Sequence, residues 1–231
     1  MHERTLQLAG LSTLLVEPES PVSLTVFLLH GYDMRPEDLA PFAHSIGVHA
    51  RFVVPRGPIT ASTSGFGWWH IDEKSRDRSR SLGPRDLSSE KPTGLSTARR
   101  QLHDLLAVSK ETWGDGPTAL VGFSQGGMLA CDVALRGDLP LAGLALLSAS
   151  RLALDEWSAH LARVRDLPVL LSHGQRDADL AFAAGEALRD MLATAGARVT
   201  WIPHAEGHVI PLIVWRGLRT FLRSLALRAD S

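Results

Sequence analysis

Gly122-Phe123-Ser124-Gln125-Gly126-Gly127 places a serine between glycines two residues before and two residues after it. A G-x-S-x-G of this kind suits a sharp strand-to-helix turn. The serine there is held in a strained backbone conformation, and residues on either side must be small to avoid collision. Such a turn lifts the Ser124 hydroxyl above the sheet edge, and the start of the following helix offers backbone N–H groups and a positive dipole end to a developing oxyanion. The chemistry in view is nucleophilic attack on an acyl carbon. A serine hydroxyl is a weak nucleophile near neutral pH, so the chain must also supply a base and a group that orients that base.

Two later loops carry those residue types. His173-Gly174-Gln175-Arg176-Asp177 ends one predicted strand, and Pro203-His204-Ala205-Glu206-Gly207-His208 follows another. The chain order of serine, then acid, then histidine fits this turn type. Asp177 is preferred to Asp179 as the acid, because Asp179 reads as the N-cap of the helix through Leu180, Ala183, Ala187 and Met191. His208 is preferred to His204 as the base, since Gly207 permits a tight turn that brings His208 back over the sheet; His204 reads as a loop or surface histidine. An oxyanion site needs two donors. The backbone N–H groups of Gln125 and of Tyr32, in Leu28-Leu29-His30-Gly31-Tyr32-Asp33, are the candidates. His30 reads as a structural histidine at a buried strand end that hydrogen-bonds the loop.

Positioning these groups requires a layered frame. Short aliphatic runs at 24–29, 51–55, 118–122, 143–147, 169–173 and 199–202 alternate with stretches of helical spacing, which predicts a parallel sheet covered by helices. Leu6, Leu8, Leu14 and Val16 alternate around Ala9-Gly10 and suit an antiparallel edge hairpin. Helices are expected from Pro36 to about Gly47, through Ala98, Leu102, Leu105 and Leu106, from Gln125 to about Arg136, from Asp155 to Val164, from Asp179 to Ala195 and from about Ile210 to Leu227. In the last, Ile213, Leu218, Phe221, Leu222 and Leu225 are expected to oppose a solvated stripe of Arg216, Arg219 and Arg223. Residues 73–92 carry only Leu82 and Leu87 as large apolar residues and are expected to be an exposed, mobile loop, read first as a solvated insertion and second as a substrate-gating lid. Of Trp68 and Trp69, candidate walls of an acyl pocket, one is expected to pack in the core and the other to face substrate. Met128 is expected in the core.

Composition removes several alternatives. With 231 residues, 45% hydrophobic, the chain supports a single domain, 1–231, with a substantial core. A net charge of -1 gives no basic excess for nucleic acid. The one cysteine, Cys131, lies in an apolar run and reads as a buried core residue, and the N-terminus lacks a secretion signal. A soluble, cytoplasmic protein is expected, since no apolar run approaches the roughly 20 residues of a membrane span. The ten histidines form no H-x-x-x-H pair on a predicted helix and no cluster with cysteines, so neither a metal nor another cofactor is expected.

Taken together, LLHGYD at 28–33, PRGPI at 55–59 followed by Trp69, GFSQGG at 122–127, LSHGQRD at 171–177 and GH at 207–208 resemble the phospholipase/carboxylesterase family of α/β-hydrolases, the group that includes acyl-protein thioesterases. The resemblance spans about Leu24 to Leu222. It implies an α/β-hydrolase fold, with a mostly parallel central sheet and helices on both faces. It also implies a Ser124, Asp177 and His208 triad, an oxyanion hole at Tyr32 and Gln125, cleavage of small acyl esters or thioesters of modest chain length without a cofactor, and a possible homodimer. Two departures fall where an acyl pocket is shaped: Gly-Trp-Trp-His-Ile-Asp at 67–72, where relatives tend to have one tryptophan, and the long polar stretch at 73–92. A thioesterase or lysophospholipase would use the same machinery on another leaving group. A non-catalytic binding protein on the same fold is the rival from outside the hydrolases, and the full set of Ser, Asp and His argues against it.

Overall fold

The computed structural model describes residues 1–229, without the side chains of 75, 78–80 and 229. In chain order the elements begin with β1 (His2–Leu8), β2 (Leu11–Glu17), β3 (Thr25–Leu29), α1 (Pro36–Ser45) and β4 (Arg51–Pro55). A small antiparallel pair, β5 (Ile59–Thr60) and β6 (Phe66–Gly67), precedes α2 (Glu73–Ser81) and α3 (Leu95–Trp113). The second half is β7 (Thr118–Phe123), α4 (Gln125–Arg136), β8 (Gly143–Leu147), α5 (Leu154–Ser158), β9 (Pro168–Gly174), α6 (Phe182–Thr194), β10 (Arg198–His204) and α7 (Leu212–Ala229). The main sheet has the order β1-β2-β4-β3-β7-β8-β9-β10. β1, β2 and β4 pair antiparallel, and every pairing from β4 through β3 to β10 is parallel.

Strand alternation divides the core between the two faces of the sheet. In β3 and β7, Phe27, Leu29 and Leu120 point to one face, where they pack with Leu102 and Leu105 of α3, Leu129 of α4 and Leu188 of α6. Val26, Leu28, Ala119 and Val121 point to the other, against Leu39 and Ala43 of α1 and Val214, Leu218 and Leu222 of α7. The chain crosses from β3 to its neighbour β4 on one side and later to β7 on the other. That reversal opens a crevice beyond the carboxyl ends of β3 and β7, the place where open parallel sheets bind ligands.

Four expectations need correction. Residues 73–92 are largely exposed, as expected, but they are not an irregular loop: Glu73–Ser81 is helical, and the stretch after it is a strap tied at both ends. Arg85 N–H donates to Asp179 O, and Ala181 N–H donates back to Arg85 O. Further along, Leu87 N–H donates to Ser150 Oγ, Leu154 N–H to Ser88 O and Ala153 N–H to Glu90 O. Asp179 is not the N-cap of α6, whose cap is Ala181; its carboxylate accepts from the Arg85 guanidinium instead. The helix expected over 155–164 breaks after Ser158 and resumes as a short 3-10 turn, Leu161–Val164. Finally, α7 starts at Leu212, and Ile213 is 57% exposed beside Leu212 at 60%, so the apolar stripe begins at Val214.

The apolar face of α4 conceals one charge. Asp132 is fully buried, accepts from Trp157 Nε1 at 2.8 Å and pairs with Arg99, which reaches over from α3. Removing one partner of a buried pair leaves the other charge uncompensated. Asp132→Ala is therefore expected to destabilise the protein by about 3–5 kcal/mol, read from urea unfolding. A loss below ~1 kcal/mol would show that the pair is dispensable.

Candidate active site

Ser124 stands between β7 and α4 with φ 53° and ψ −117°, a left-handed backbone that a non-glycine residue adopts only under constraint. The two glycines of the motif supply that constraint. A Cβ on Gly122 would lie 2.2 Å from Gly126 O, and one on Gly126 would lie 2.3 Å from Leu29 O. Strand, helix and the end of β3 therefore meet at backbone distance, and no larger residue fits between them. Ser124 N–H donates to Leu147 O, which anchors the turn to β8.

The side chains expected to act on Ser124 are gathered there. His208 Nε2 lies 2.8 Å from Ser124 Oγ, and His208 Nδ1 lies 2.6 Å from Asp177 Oδ2. The other carboxylate oxygen, Oδ1, accepts from the N–H groups of Asp179 and Leu180, each at 2.9 Å. Burial alone would raise the Asp177 pKa, but the His208 hydrogen bond and charge and the two backbone donors outweigh it, and the carboxyl is held below its ordinary value. The stability this contributes is present above the ordinary carboxylate range and is lost as pH falls through the lowered pKa.

His204 proves to be neither a loop nor a surface residue. It ends β10, is 6% exposed, and neither ring nitrogen has a hydrogen-bond partner among the described residues. Burial lowers its pKa against the opposing influence of Glu206 and Asp177.

On the opposite wall, Tyr32 and Gln125 line one cavity with Ser124 and His208. Gln125 opens α4, so its N–H is among the first-turn donors that no helical carbonyl claims. His30, fully buried, accepts from Gly57 N–H through Nε2 at 2.9 Å and contacts Gly31 O through Nδ1 at 2.7 Å, which braces the loop leading to Tyr32. The Gln125 side chain has a part that spacing did not reveal. Its Oε1 accepts from Trp68 N–H at 2.8 Å and its Nε2 donates to Trp69 O at 2.9 Å. A glutamine directly after the serine was the available signal.

The cavity measures about 360 Å³. Trp69, Ile71, Leu87, Met128, Leu152 and Leu180 give it an apolar wall, while Asp72, Arg76, Arg85, Glu90 and Asp179 contribute charge. Of the two tryptophans, only Trp69 lines it. Trp68 is a core residue, stacked on His30 at 5.2 Å between ring centroids and donating from Nε1 to His30 O, so its assignment to the pocket wall is corrected. Leu87 brings the strap into the cavity wall. Met128 is buried as expected and also touches the cavity; Cys131 is fully buried, and its thiol is pushed well above the ordinary range, first by burial and then by Asp132. A larger concavity of about 550 Å³ lies at the amino ends of β7 to β10, away from Ser124. Among the described residues no group of metal-binding side chains occurs, and no helix is long and apolar enough to cross a membrane.

Known proteins share both the sequence pattern and this frame. Residues 12–225 match the phospholipase/carboxylesterase family model. Acyl-protein thioesterase 1 of Mycosarcoma maydis is 27% identical over 212 residues, covering 79% of this chain and 81% of that protein. The crystal structure of esterase PE8 superposes with a TM-score of 0.78 at 28% identity, over 93% of this chain and 99% of that one. A Mesorhizobium loti carboxylesterase superposes with a TM-score of 0.74 at 20% identity, over 95% and 98% of the two chains, a likeness of fold. A family match that runs from β2 into α7, on a mostly parallel sheet shared with esterases, makes this chain a member of the phospholipase/carboxylesterase family of α/β-hydrolases, which hydrolyse ester bonds.

Proposed function

We propose that this protein is a serine carboxylesterase that hydrolyses short- to medium-chain acyl esters through Ser124, His208 and Asp177. The observation that carries the reading is the unbroken hydrogen-bond chain from Ser124 Oγ through both nitrogens of His208 to Asp177, opening onto a cavity with an apolar wall. His208 Nε2 takes the Ser124 proton as Oγ bonds to the ester carbon. The carbonyl oxygen becomes an oxyanion facing the N–H groups of Tyr32 and Gln125, and Asp177 stabilises the imidazolium. The tetrahedral intermediate collapses, His208 protonates the departing alcohol, and the acyl group remains on Ser124. Water, deprotonated by His208, then attacks the acyl-enzyme and frees the acid.

The test is initial-rate hydrolysis of p-nitrophenyl esters from acetate to laurate. A Ser124-dependent rate that peaks at one chain length is expected, with Trp69, Ile71, Leu87, Met128, Leu152 and Leu180 receiving the acyl group. No turnover at any length would overturn the ester assignment. The likeness to a protein named acyl-protein thioesterase 1 supports a second reading on the same machinery, with a thiol leaving group. Matched oxygen and thiol esters of one acyl chain decide between them by their kcat/KM ratio.

A further inference from the structure

We propose that His173 is a positioning residue for Asp177, acting by holding the Leu180 main chain that in turn holds the carboxylate. This rests on the reading of Ser124, His208 and Asp177 given above. His173 is the penultimate residue of β9 and is completely buried. Its Nε2 lies 3.1 Å from Leu180 O and 3.4 Å from Asp177 Oδ2. Both neighbours are acceptors, so Nε2 carries a proton and donates it to the Leu180 carbonyl, with the carboxylate alongside. Leu180 is then gripped on both sides of its Cα: its N–H donates to Asp177 Oδ1, and its C=O accepts from His173.

The other side of the ring is fixed by close packing. Nδ1 is buried without a hydrogen-bond partner among the described residues, against α6 at Gly185, where an added Cβ would lie 2.5 Å from it. A proton on Nδ1 would face no acceptor, and burial pushes the His173 pKa down, so the ring is the neutral Nε2–H form. Phe182 meets the ring edge-on at 6.2 Å between centroids. From the outside, the strap holds the same turn through the hydrogen bonds of Arg85 to Asp179 O and from Ala181 N–H. His173 is the inner jaw and Arg85 the outer jaw of a clamp on residues 179–181. What the clamp protects is the 2.6 Å contact between Asp177 and His208, which has little tolerance for displacement.

A residue that only fills space and one that donates a hydrogen bond respond differently to substitution. The experiment measures kcat and KM on the preferred p-nitrophenyl ester for the wild type, Ser124→Ala, His173→Leu, His173→Gln and Gly185→Ala, with folding followed by circular dichroism. His173→Leu removes the donor and is expected to lower kcat about ten- to a hundredfold, with KM within about twofold. His173→Gln keeps an N–H donor at comparable reach and is expected to restore most of kcat. Gly185→Ala keeps the histidine but drives a methyl group into its ring, which must shift, and should lower kcat in the same manner.

Equal losses in the leucine and glutamine variants would overturn the proposal, since shape alone would then account for both. So would a folded leucine variant with wild-type kcat. If leucine at 173 prevents folding, Gly185→Ala decides: native circular dichroism with unaltered kcat overturns the proposal. A wild-type rate that survives Ser124→Ala removes the triad reading itself, whereas a Ser124-dependent rate indifferent to His173 removes only the clamp.

Discussion

Ser124→Ala is expected to lower kcat by about 10⁴- to 10⁶-fold while leaving the fold intact. Alanine accepts the φ of 53° no worse than serine, because the strain belongs to the backbone and is enforced by the contacts of Gly122 and Gly126. Ser124 Oγ has His208 as its hydrogen-bond partner, so its removal leaves no stranded backbone group. The proposed oxyanion donors and the apolar cavity wall remain, and about 10³- to 10⁴-fold acceleration over water should persist on that account. Single-turnover release of p-nitrophenol, together with labelling by a fluorophosphonate, measures both effects. Labelling of the variant at the wild-type rate would place the nucleophile elsewhere.

The second large effect is expected from Asp177→Asn, which should cost about 10⁴-fold in kcat. The two oxygens of Asp177 have unequal surroundings. Oδ1 receives the N–H groups of Asp179 and Leu180, so an asparagine must turn its carbonyl oxygen toward them or set donor against donor. Its NH₂ group then faces His208 Nδ1, which must become an acceptor. The imidazole proton moves to Nε2, the nitrogen that has to receive the Ser124 proton. An almost unchanged structure thus carries a base in the wrong tautomer. A variant with kcat within tenfold of wild type would show that Asp177 is not the orienting acid. A variant that fails to fold would be expected only if the amide could not satisfy either neighbour.

Both predictions concern residues whose arrangement could be read from the chain, and the reason is local. Gly122 is demanded by its contact with Gly126 inside the turn, so the spacing of the pair announces the turn; the approach of Gly126 to Leu29 O and His30 O at the end of β3 adds a demand from farther along the chain. The strands at 24–29, 118–122 and 143–147 announce themselves because each is buried on two faces. What could not be read depends on distant partners. The helix at 73–81 has almost no apolar face, and the strap after it is ordered by the Asp179 turn and the 150–154 segment, far along the chain. Asp179 looked like a cap because sequence shows its proximity to a helix and hides Arg85, which claims its carboxylate. Ile213 satisfied the helical period, but the first turn of α7 leaves both Leu212 and Ile213 exposed, and burial begins only at Val214. Asp132 was hidden by its apolar neighbours, since its partners Arg99 and Trp157 sit on other elements.

The tie between the Gln125 side chain and the Trp68-Trp69 backbone bears on redesign. Loop grafting treats the stretch that shapes an acyl pocket as a cassette, to be cut at its two ends and replaced. Here the cassette has a third attachment, about 57 residues away in sequence, on the amino acid that follows Ser124, the proposed nucleophile. An exchanged 66–72 segment with another backbone path would leave a glutamine pulling on absent partners, and the pull would be felt one residue from the serine. Chimeras at this pocket should therefore be built with position 125 as part of the insert, and libraries that vary the pocket should vary 125 with it.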